Sequence, residues 1–295
     1  MKTLTTTTLL VLLVLSVAGI AAADRSVDET RPLAPDGRVE ISNVAGEVNV
    51  VGWTGSGVAI TGTLGDNVKE LAVTSDGDHL SIEVELERKV RSSGEARLTV
   101  KVPIGASVEV ETVSADITVD GVRGDLDLES VSGRVEVSGE PRSLAAASVS
   151  GDLVVASAAG RTELEAVSGK VVVGRASGRL EVSVVSGDIE LESGVLESLE
   201  LETVSGTAVC RVAPAAGGRF AIETMSGRVE LVLPAQVDAD FHIETFSGSI
   251  ENDFGPAPKR TDEHGPGREL RFTSGNGGAR VTVESFSGSV HLRTK

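Results

Sequence analysis

The sequence has 295 residues, which is enough for one large domain or two ordinary ones. Hydrophobic residues make up 40% of it but aromatic residues only 2%, so a core must be built from Val, Leu, Ile and Ala, the residues that suit a thin β interior. The formal net charge of −17 argues against binding to nucleic acid or anionic lipid, and it favours cations, basic proteins or simple solubility.

Residues 1–23 have the features of a signal peptide. Lys2 supplies a positive charge, an apolar run extends from Leu9 to Ile20, and Ala21 to Ala23 offer an A-x-A cleavage site. The run is too short for the roughly 20 apolar residues of a transmembrane span, and no Cys follows it that could carry a lipid. We therefore expect an exported protein, periplasmic or extracellular on the cell surface, with no transmembrane span after cleavage.

Residues 24–105 are predicted to form an irregular β segment that caps the rest of the chain. Pro103 and Gly105 then interrupt the pattern. An open sheet edge tends to recruit other chains, so we expect this segment to cover the first edge. The strand-like stretches are Val39–Val44, Glu47–Val51, Val58–Thr63, Leu71–Thr74, Leu80–Leu86 and Ala96–Val102.

A tripeptide of one apolar residue, Ser and Gly recurs through residues 106–295. Its serines are spaced by 18, 18, 18, 18, 19, 21, 21 and 40 residues, starting from the degenerate copy at Ser114. The last gap is about two repeats long, which indicates a degenerate or interrupted coil. A repeat of this kind predicts stacked units, since one unit alone cannot bury its apolar face.

Each 18-residue unit divides into two halves of nine residues, each with an alternating apolar pattern. Leu126/Leu128 and Val135/Val137 are examples, and alternation with a period of two predicts strands with one buried face. We therefore predict an all-β fold, a two-sided β-solenoid with about 18 residues per coil and a rise of about 4.8 Å per coil.

The Ser-Gly pairs are predicted to be structural turns. Gly can adopt a positive φ without steric penalty, and Ser can bond nearby backbone groups. These residues are Ser132, Gly133, Ser150, Gly151, Ser168, Gly169, Ser186, Gly187, Ser205, Gly206, Ser226, Gly227, Ser247, Gly248, Ser287 and Gly288.

Two further features concern the C-terminal end. Residues 252–267 contain three prolines and several charges, so we expect a loop there, more often mobile than functional. Arg293 and Lys295 place charges on the last strand, a common way to prevent edge-to-edge pairing.

Three motifs of the chain are LTVKVP (Leu98 to Pro103) with Gly105, VEVETVSADITV (Val108 to Val119) and FSGSVHL (Phe286 to Leu292). Through them the sequence resembles the bacterial putative-adhesin β-strand-repeat family, an exported domain of unknown function. The resemblance covers nearly the whole chain after the signal peptide. It implies a β-solenoid outside the cytoplasm and no established activity, because a fold does not fix a function.

One face of the predicted solenoid is strongly acidic. The positions five and three before each repeat serine should point outward, and 12 of these 18 positions are acidic while none is Lys or Arg. We regard this face as a solvated surface or as a candidate site for a cation or a basic partner. Its residues are Glu109, Glu111, Asp127, Glu129, Glu163, Glu165, Glu181, Glu200, Glu202, Glu223, Glu244 and Glu284.

The sequence predicts no cofactor beyond weak calcium binding and no metal centre. Asp116, Asp152 and Asp188 follow the repeat serines by two residues, but basic residues share their column, which argues against repeated calcium turns. The four histidines, His79, His242, His264 and His291, lack metal-ligand spacing. We expect His242 and His291 to be surface residues.

Nothing in the sequence predicts a catalytic centre. A nucleophilic Ser needs a base and an oxyanion site, and equivalent glutamates offer no differentiated acid pair. Cys210 is expected to be a small buried hydrophobe rather than half of an intermolecular disulfide.

Three functions remain open from the sequence. The first is a non-catalytic cell-envelope protein that presents a β surface for adhesion, binding or scaffolding. The second is an envelope-stress or regulatory sensor module that binds a cationic ligand, and the third, unfavoured, is a polysaccharide-acting β-helix enzyme. Candidate partners are an envelope protein, a cationic peptide or a glycan.

Overall fold

The computed structural model describes residues 25–87, 94–158, 160–262 and 265–295. These residues form 22 strands and no helix, which confirms the predicted all-β class. None of their elements is a helix that could cross a membrane. The predicted signal peptide, residues 1–23, lies outside the described residues, as does His264.

The strands follow the alternating pattern of the sequence, with side chains alternately buried and exposed. Several long strands run through a corner and contribute to two faces of the molecule. In chain order the strands are β1 Arg25–Arg31, β2 Arg38–Trp53, β3 Val58–Leu64, β4 Val68–Asp76, β5 His79–Leu86, β6 Glu95–Pro103, β7 Ser107–Asp120, β8 Asp125–Ser130, β9 Val135–Ser138, β10 Ser143–Ser148, β11 Leu153–Ala158, β12 Arg161–Ser168, β13 Val171–Ser186, β14 Ile189–Leu191, β15 Gly194–Cys210, β16 Ala213–Leu233, β17 Ala239–Thr245, β18 Ser249–Asn252, β19 Lys259–Arg260, β20 Arg268–Ser274, β21 Ala279–Ser285 and β22 Ser289–Thr294.

Parallel pairing stacks the repeats into a β-solenoid-like structure with two faces. On the first face, the strand segments before each Ser-Gly corner pair with one another, as Leu144 does with Leu126 and Thr162. On the second face, the segments after the corner pair in the same way, as Leu153 does with Val135 and Val171. Through the middle of the chain each residue thus pairs with residues 18 positions away.

The order of the coils in space differs from their order in the chain at both ends. Strand β2 lies between β7 on one side and β5 and β6 on the other, so β5 and β6 form a coil outside it. Similarly, β21 and β22 lie between β16 and the coil formed by β17 and β18. Both terminal regions therefore contribute a coil that is enclosed by its neighbours.

This arrangement contradicts the edge-protecting role predicted for Arg293 and Lys295. Strand β22 has partners on both sides and is not an edge strand. Arg293 instead bonds Glu251 at 2.9 Å and Asp253 at 3.4 Å. The 40-residue gap before Ser287 arises because the chain first makes the outer coil and then returns to build the inner one.

Antiparallel strands flank the outer coils. At the N-terminal end, β3 pairs with β6, β1 with β3, and β4 with β5. At the other end, β20 pairs with β17, and the short β19 pairs with β20. The predicted loop at 252–267 contains β19, and its residues 263–264 lie outside the described part of the chain.

The core is a narrow column of aliphatic side chains between the two faces. Successive residues of one such column pair directly across the coils, and each is at most 4% exposed. Each buried Leu, Ile or Val side chain stabilises the fold by about 1.5–3 kcal/mol through removal from water. In spatial order this column is Val110, Leu128, Ala146, Leu164, Val182, Leu201, Ile222, Val283 and Ile243.

The corner glycines are required mainly by close approach between coils. Among the eight predicted turn glycines, only Gly169 (φ 149°) and Gly206 (φ 131°) have a positive φ, so the conformational reason predicted from the sequence holds for two of them. At all eight, a Cβ atom would overlap a backbone carbonyl oxygen of the adjacent coil. A side chain at these positions would therefore push two coils apart.

The corner serines make fewer backbone bonds than predicted. Of their hydroxyl groups in the described residues, only that of Ser205 bonds the backbone, to Val185 O at 3.4 Å. At two corners the buried residue two positions earlier has that role instead. The hydroxyl oxygens of Ser130 and Ser148 accept hydrogen bonds from the N–H groups of Gly133 and Gly151, each at 2.8 Å.

Candidate functional site: a groove along the Ser-Gly corners

The apolar residue of each Ser-Gly corner is exposed, and these residues form a continuous line across the coils. Each is 45–60% exposed, which is unusual for such large apolar side chains arranged side by side. We call this line the apolar ladder. In spatial order it consists of Val113, Val131, Val149, Val167, Val185, Val204, Met225, Phe286 and Phe246.

The ladder forms one wall of a long groove, and carboxylates form the other. The groove has a volume of about 1080 Å³ and extends from Ser42–Val44 at one end to Phe246 at the other. Its floor is made of small buried residues such as Thr112, Ser148 and Ala166. The opposite wall, which we call the glutamate column, consists of Glu111, Glu129, Glu165, Glu202, Glu223, Glu284 and Glu244.

The twelve predicted acidic residues all point outward, and the structure divides them into two columns. Seven form the glutamate column beside the groove, and all seven are exposed. The other five lie one alternation further from the corner and form an outer column, which consists of Glu109, Asp127, Glu163, Glu181 and Glu200. Only the first set shares a groove with apolar side chains.

The two columns differ in how far their charges are neutralised. In the outer column, Glu109 pairs with Arg38, and Glu163 lies 3.7 Å from Arg161. For the glutamate column, no Lys or Arg of the described residues lies within ion-pair distance, and Glu244 alone has a neighbouring His242, at 3.8 Å. The groove therefore carries uncompensated negative charge.

Like charges face each other directly along the first face. Glu202 pairs with Glu223, Glu223 with Glu284, and Glu284 with Glu244. Burial, and then the neighbouring charges of Glu163 and Glu200, raise the pKa of Glu181. The other interactions of the fold therefore outweigh the repulsion between the carboxylates of this face.

The C-terminal end of the ladder is aromatic. The rings of Phe246 and Phe286 stack with their centroids 5.0 Å apart and an angle of 9° between planes. They are 40 positions apart in sequence, and they meet because β21 lies beside β17. A second cluster, Phe241, Phe254 and Phe272, packs inside the same end, with the first and last rings 4.6 Å apart.

Sequence reasoning missed both the ladder and the hydroxyls of the groove floor. The ladder was recognisable, because each of its residues follows an outward-facing position by two residues, and residues two apart in a strand point to the same side. The floor hydroxyls follow the recurrent Glu-Thr or Glu-Ser pair. Thr112 donates to Ala115 O at 3.0 Å, and its hydroxyl lies 3.1 Å from that of Ser130. The hydroxyls of Thr112 and Ser130 thus hold the corner shape beneath the groove, whereas those of Thr224, Thr245 and Ser285 have no hydrogen-bond partner among the described residues.

One cluster in the described residues has a composition that could hold a metal ion. His242, Glu244 and Glu269 bring one ligand atom each to within 4.8 Å of the others. Glu269 comes from the antiparallel strand β20, which is why spacing within the repeats does not predict the cluster. Arg271 bonds the Glu269 oxygen that faces His242, so a protein cation already compensates this carboxylate.

The aspartates after the corners have a structural role. The carboxylates of Asp116, Asp152 and Asp188 accept hydrogen bonds from backbone N–H groups of the next coil at 2.8, 2.9 and 3.0 Å. They therefore link coils. Whether these positions bind calcium stays a prediction.

The predicted surface position of His291 is wrong. His291 is only 9% exposed, because Glu251 of the neighbouring β18 and Arg293 of its own strand lie against its ring. His242 is half-buried. Cys210 is fully buried, as expected, and burial raises the pKa of its thiol to about 12.

The fold and the groove define a class of all-β, solenoid-like repeat proteins with a one-sided acidic and apolar surface. Residues 40–293 match the family model described as Toastrack DUF4097, and the chain belongs to this family. This match confirms the resemblance that the repeat motifs indicated, to a putative-adhesin β-strand-repeat family of unknown function. No curated protein matches the chain in sequence.

Several solved structures are similar to this chain at low sequence identity. A putative adhesin from Parabacteroides merdae ATCC 43184 is 13% identical, with a TM-score of 0.46 over 91% of this chain and 96% of that chain. A putative adhesin from Bacteroides fragilis NCTC 9343 is 10% identical, with a TM-score of 0.41 over 91% and 97%. A putative cell adhesion protein from Clostridium sporogenes ATCC 15579 is also 10% identical, with a TM-score of 0.29 over 92% and 100%. Similarity at this level does not transfer a function to this chain.

Proposed function

We propose that this chain is a non-catalytic, exported cell-envelope protein that adheres to or scaffolds a partner through the corner groove. The supporting observation is the combination of nine exposed apolar side chains with seven carboxylates that no Lys or Arg of the described residues neutralises. The proposal includes a two-sided β-solenoid of about 18 residues per coil, whose stacking makes the groove continuous.

The apolar ladder and the glutamate column each cost free energy in the unbound protein. Contiguous exposed apolar surface is uncommon on monomers and marks interaction sites when polar residues border it. Adjacent carboxylates repel each other, and water and salt only partly screen the repulsion. A partner that covers the apolar ladder and neutralises the glutamate column would relieve both costs at once.

The chemistry of the groove supports binding rather than turnover. Glycoside hydrolysis uses two carboxyl groups with different roles, and their environments must hold one protonated and the other ionised. All seven residues of the glutamate column are exposed and occupy equivalent positions in seven of the nine coils. This equivalence suits an extended contact and provides no differentiated acid pair.

The proposed export rests on the sequence features of residues 1–23, in particular the apolar run that ends before Ala21 to Ala23. Nothing in the binding proposal requires a covalent link to the envelope. The groove can act wherever an exported chain meets its partner.

A quantitative envelope-binding assay tests the proposal. The full chain without its signal peptide is labelled and titrated against envelope fragments of the bacterium that produces it. The groove variant V149K/V167K/V185K changes three exposed residues of the apolar ladder. The control V154K/V172K changes two outward-facing valines of the second face, away from the groove.

The proposal predicts saturable binding that the groove variant weakens at least about tenfold and the control leaves unchanged. Circular dichroism of each variant verifies that the β-structure is retained. Equal binding by wild type and groove variant would contradict the proposal. Turnover of envelope polysaccharide, abolished by a single substitution such as Glu202→Gln, would contradict its non-catalytic part.

A further inference from the structure

We propose that the groove binds a cationic amphipathic α-helix that lies along the stack of coils, with its apolar side on the ladder and its Lys and Arg residues against the glutamate column. This inference rests on the proposed function and identifies the chemistry of the partner. It follows from the backbone of the corner, the distribution of charge and the dimensions of the groove.

The backbone of the corner excludes an extended peptide that adds to a sheet. Peptides that bind as an extra strand need free backbone N–H and C=O groups. Here those groups are already used between coils. Ser132 N donates to Val113 O, Ser150 N to Val131 O and Ser168 N to Val149 O, each at 2.9 Å. The groove offers side chains only, which favours a partner that satisfies its own backbone, as a helix does.

The distribution of charge selects a cationic partner. Seven carboxylates line one wall, and within the described chain no Lys or Arg pairs with them. An anionic membrane surface would be repelled by this wall. A glycan is a poorer match, because six of the nine ladder residues are valines and only the two phenylalanines offer an aromatic surface.

The length of the groove suits a helix. The ladder spans nine coils, hence eight intervals of about 4.8 Å, or about 38 Å in total. A helix of about 25 residues has this length at 1.5 Å per residue. Its turn of 5.4 Å is longer than the coil spacing, and the mismatch is tolerated because the ladder is a continuous apolar stripe rather than a row of separate pockets.

The aromatic end provides the strongest contact. Met225, Phe286 and Phe246 are the most exposed members of the ladder, at 57–60%. The adjoining wall has the uninterrupted series of paired glutamates that includes Glu223 and Glu284. Large apolar anchors usually contribute most to the binding energy of an interface. We therefore expect one end of the helix to bind here first.

Designed peptides test the inference on the full chain without its signal peptide. The first peptide has 25 residues with Leu along one helical face and Lys on its flanks. A second has the same composition in an order that removes the amphipathic face. A third replaces every Lys by Glu. Fluorescence anisotropy measures affinity, and circular dichroism measures the helix gained on mixing.

We expect the first peptide to bind and gain helix, and the other two to bind at least about tenfold more weakly. The substitutions Phe246→Ala with Phe286→Ala should weaken binding at least about tenfold. The triple variant E202Q/E223Q/E284Q should weaken it at low salt and reduce its dependence on salt. The matched variant E136Q/E190Q, on the second face, should have no effect.

Equal binding of the ordered and scrambled Leu/Lys peptides would overturn the inference, because charge alone would then explain the contact. Binding that survives both groove variants would overturn it as well. If no peptide binds but the groove variant still loses envelope binding, the helix is wrong while the proposed function stands. If the groove variants lose neither peptide binding nor envelope binding, both the helix and the proposed function are contradicted.

Discussion

Replacement of Glu181 by Gln should stabilise the protein. Glu181 pairs directly with Glu163 on one side and Glu200 on the other, so its charge has two like neighbours. At a spacing of about 4.8 Å, two unit charges repel by about 0.9 kcal/mol in water, or about 1.7 kcal/mol for two neighbours. Physiological salt reduces this to about 1 kcal/mol, and splayed side chains and the nearby Arg161 reduce it further.

The sign of the pH dependence follows from the raised pKa of Glu181. A raised pKa means that the folded state binds this proton more readily than the unfolded state. The cost of burying the charge, and then the repulsion from Glu163 and Glu200, are therefore present at neutral pH and disappear as the pH falls through the folded pKa. The advantage of Gln over Glu should therefore be largest at neutral pH and low salt. It should vanish in acid, where both side chains are neutral.

Urea unfolding followed by far-UV circular dichroism measures the effect, because urea leaves ionic strength unchanged. We expect Glu181→Gln to gain about 0.5–1.5 kcal/mol in low salt and less than about 0.5 kcal/mol at high salt. The matched control is Glu190→Gln, because Glu190 lies 2.9 Å from Lys170 and should lose a few tenths of a kcal/mol instead. Equal effects of the two substitutions, or no dependence on salt, would refute the argument from like charges.

Three further predictions concern the corners and the core. Gly187→Ala should destabilise the protein by more than about 2 kcal/mol, because its Cβ would overlap the adjacent coil, whereas Ser186→Ala should change the urea midpoint little. Ser130→Ala should cost about 1 kcal/mol because the N–H of its corner loses a partner, and Ser132→Ala, at the exposed neighbour, should cost less than about 0.5 kcal/mol. Cys210 should fail to react with a thiol reagent in the folded protein and react on unfolding, because burial raises the pKa of its thiol to about 12; fast reaction in the native state would contradict the buried position.

The sequence allowed the strands and the outward direction of the acidic residues to be predicted, because both depend on local alternation. A shift by one residue would move every side chain to the opposite face, so the pattern fixes which residues are buried. Glu129 and Glu202 accordingly point outward, while Leu128 and Leu201 are buried.

The order of the coils in space could not be predicted in this way. The coil with Ser287 resembles every other coil, and nothing within it specifies that it stacks between those of Ser226 and Ser247. The consequences of that order were therefore missed as well. They include the burial of His291, the contact of Phe246 with Phe286, and the position of Arg293 inside the sheet.

The reason for the corner glycines also required the structure. A positive φ is the usual local explanation for Gly, but it applies to Gly169 and Gly206 and not to Gly151 or Gly187. The stronger constraint is contact with the preceding coil, which a local pattern cannot reveal. The repeats separate the two explanations. The corner glycine recurs with different values of φ, but a carbonyl oxygen of the adjacent coil is close to it every time.

Carboxylate footprinting tests the binding role of the groove most directly. The chain is labelled with a carbodiimide and an amine, free and then bound to envelope fragments, and mass spectrometry gives the labelling of each carboxylate. We predict protection of Glu129, Glu165 and Glu202 in the groove, and unchanged labelling of Glu136 and Glu190 on the second face. Protection of the second face with the groove still fully labelled would contradict the account.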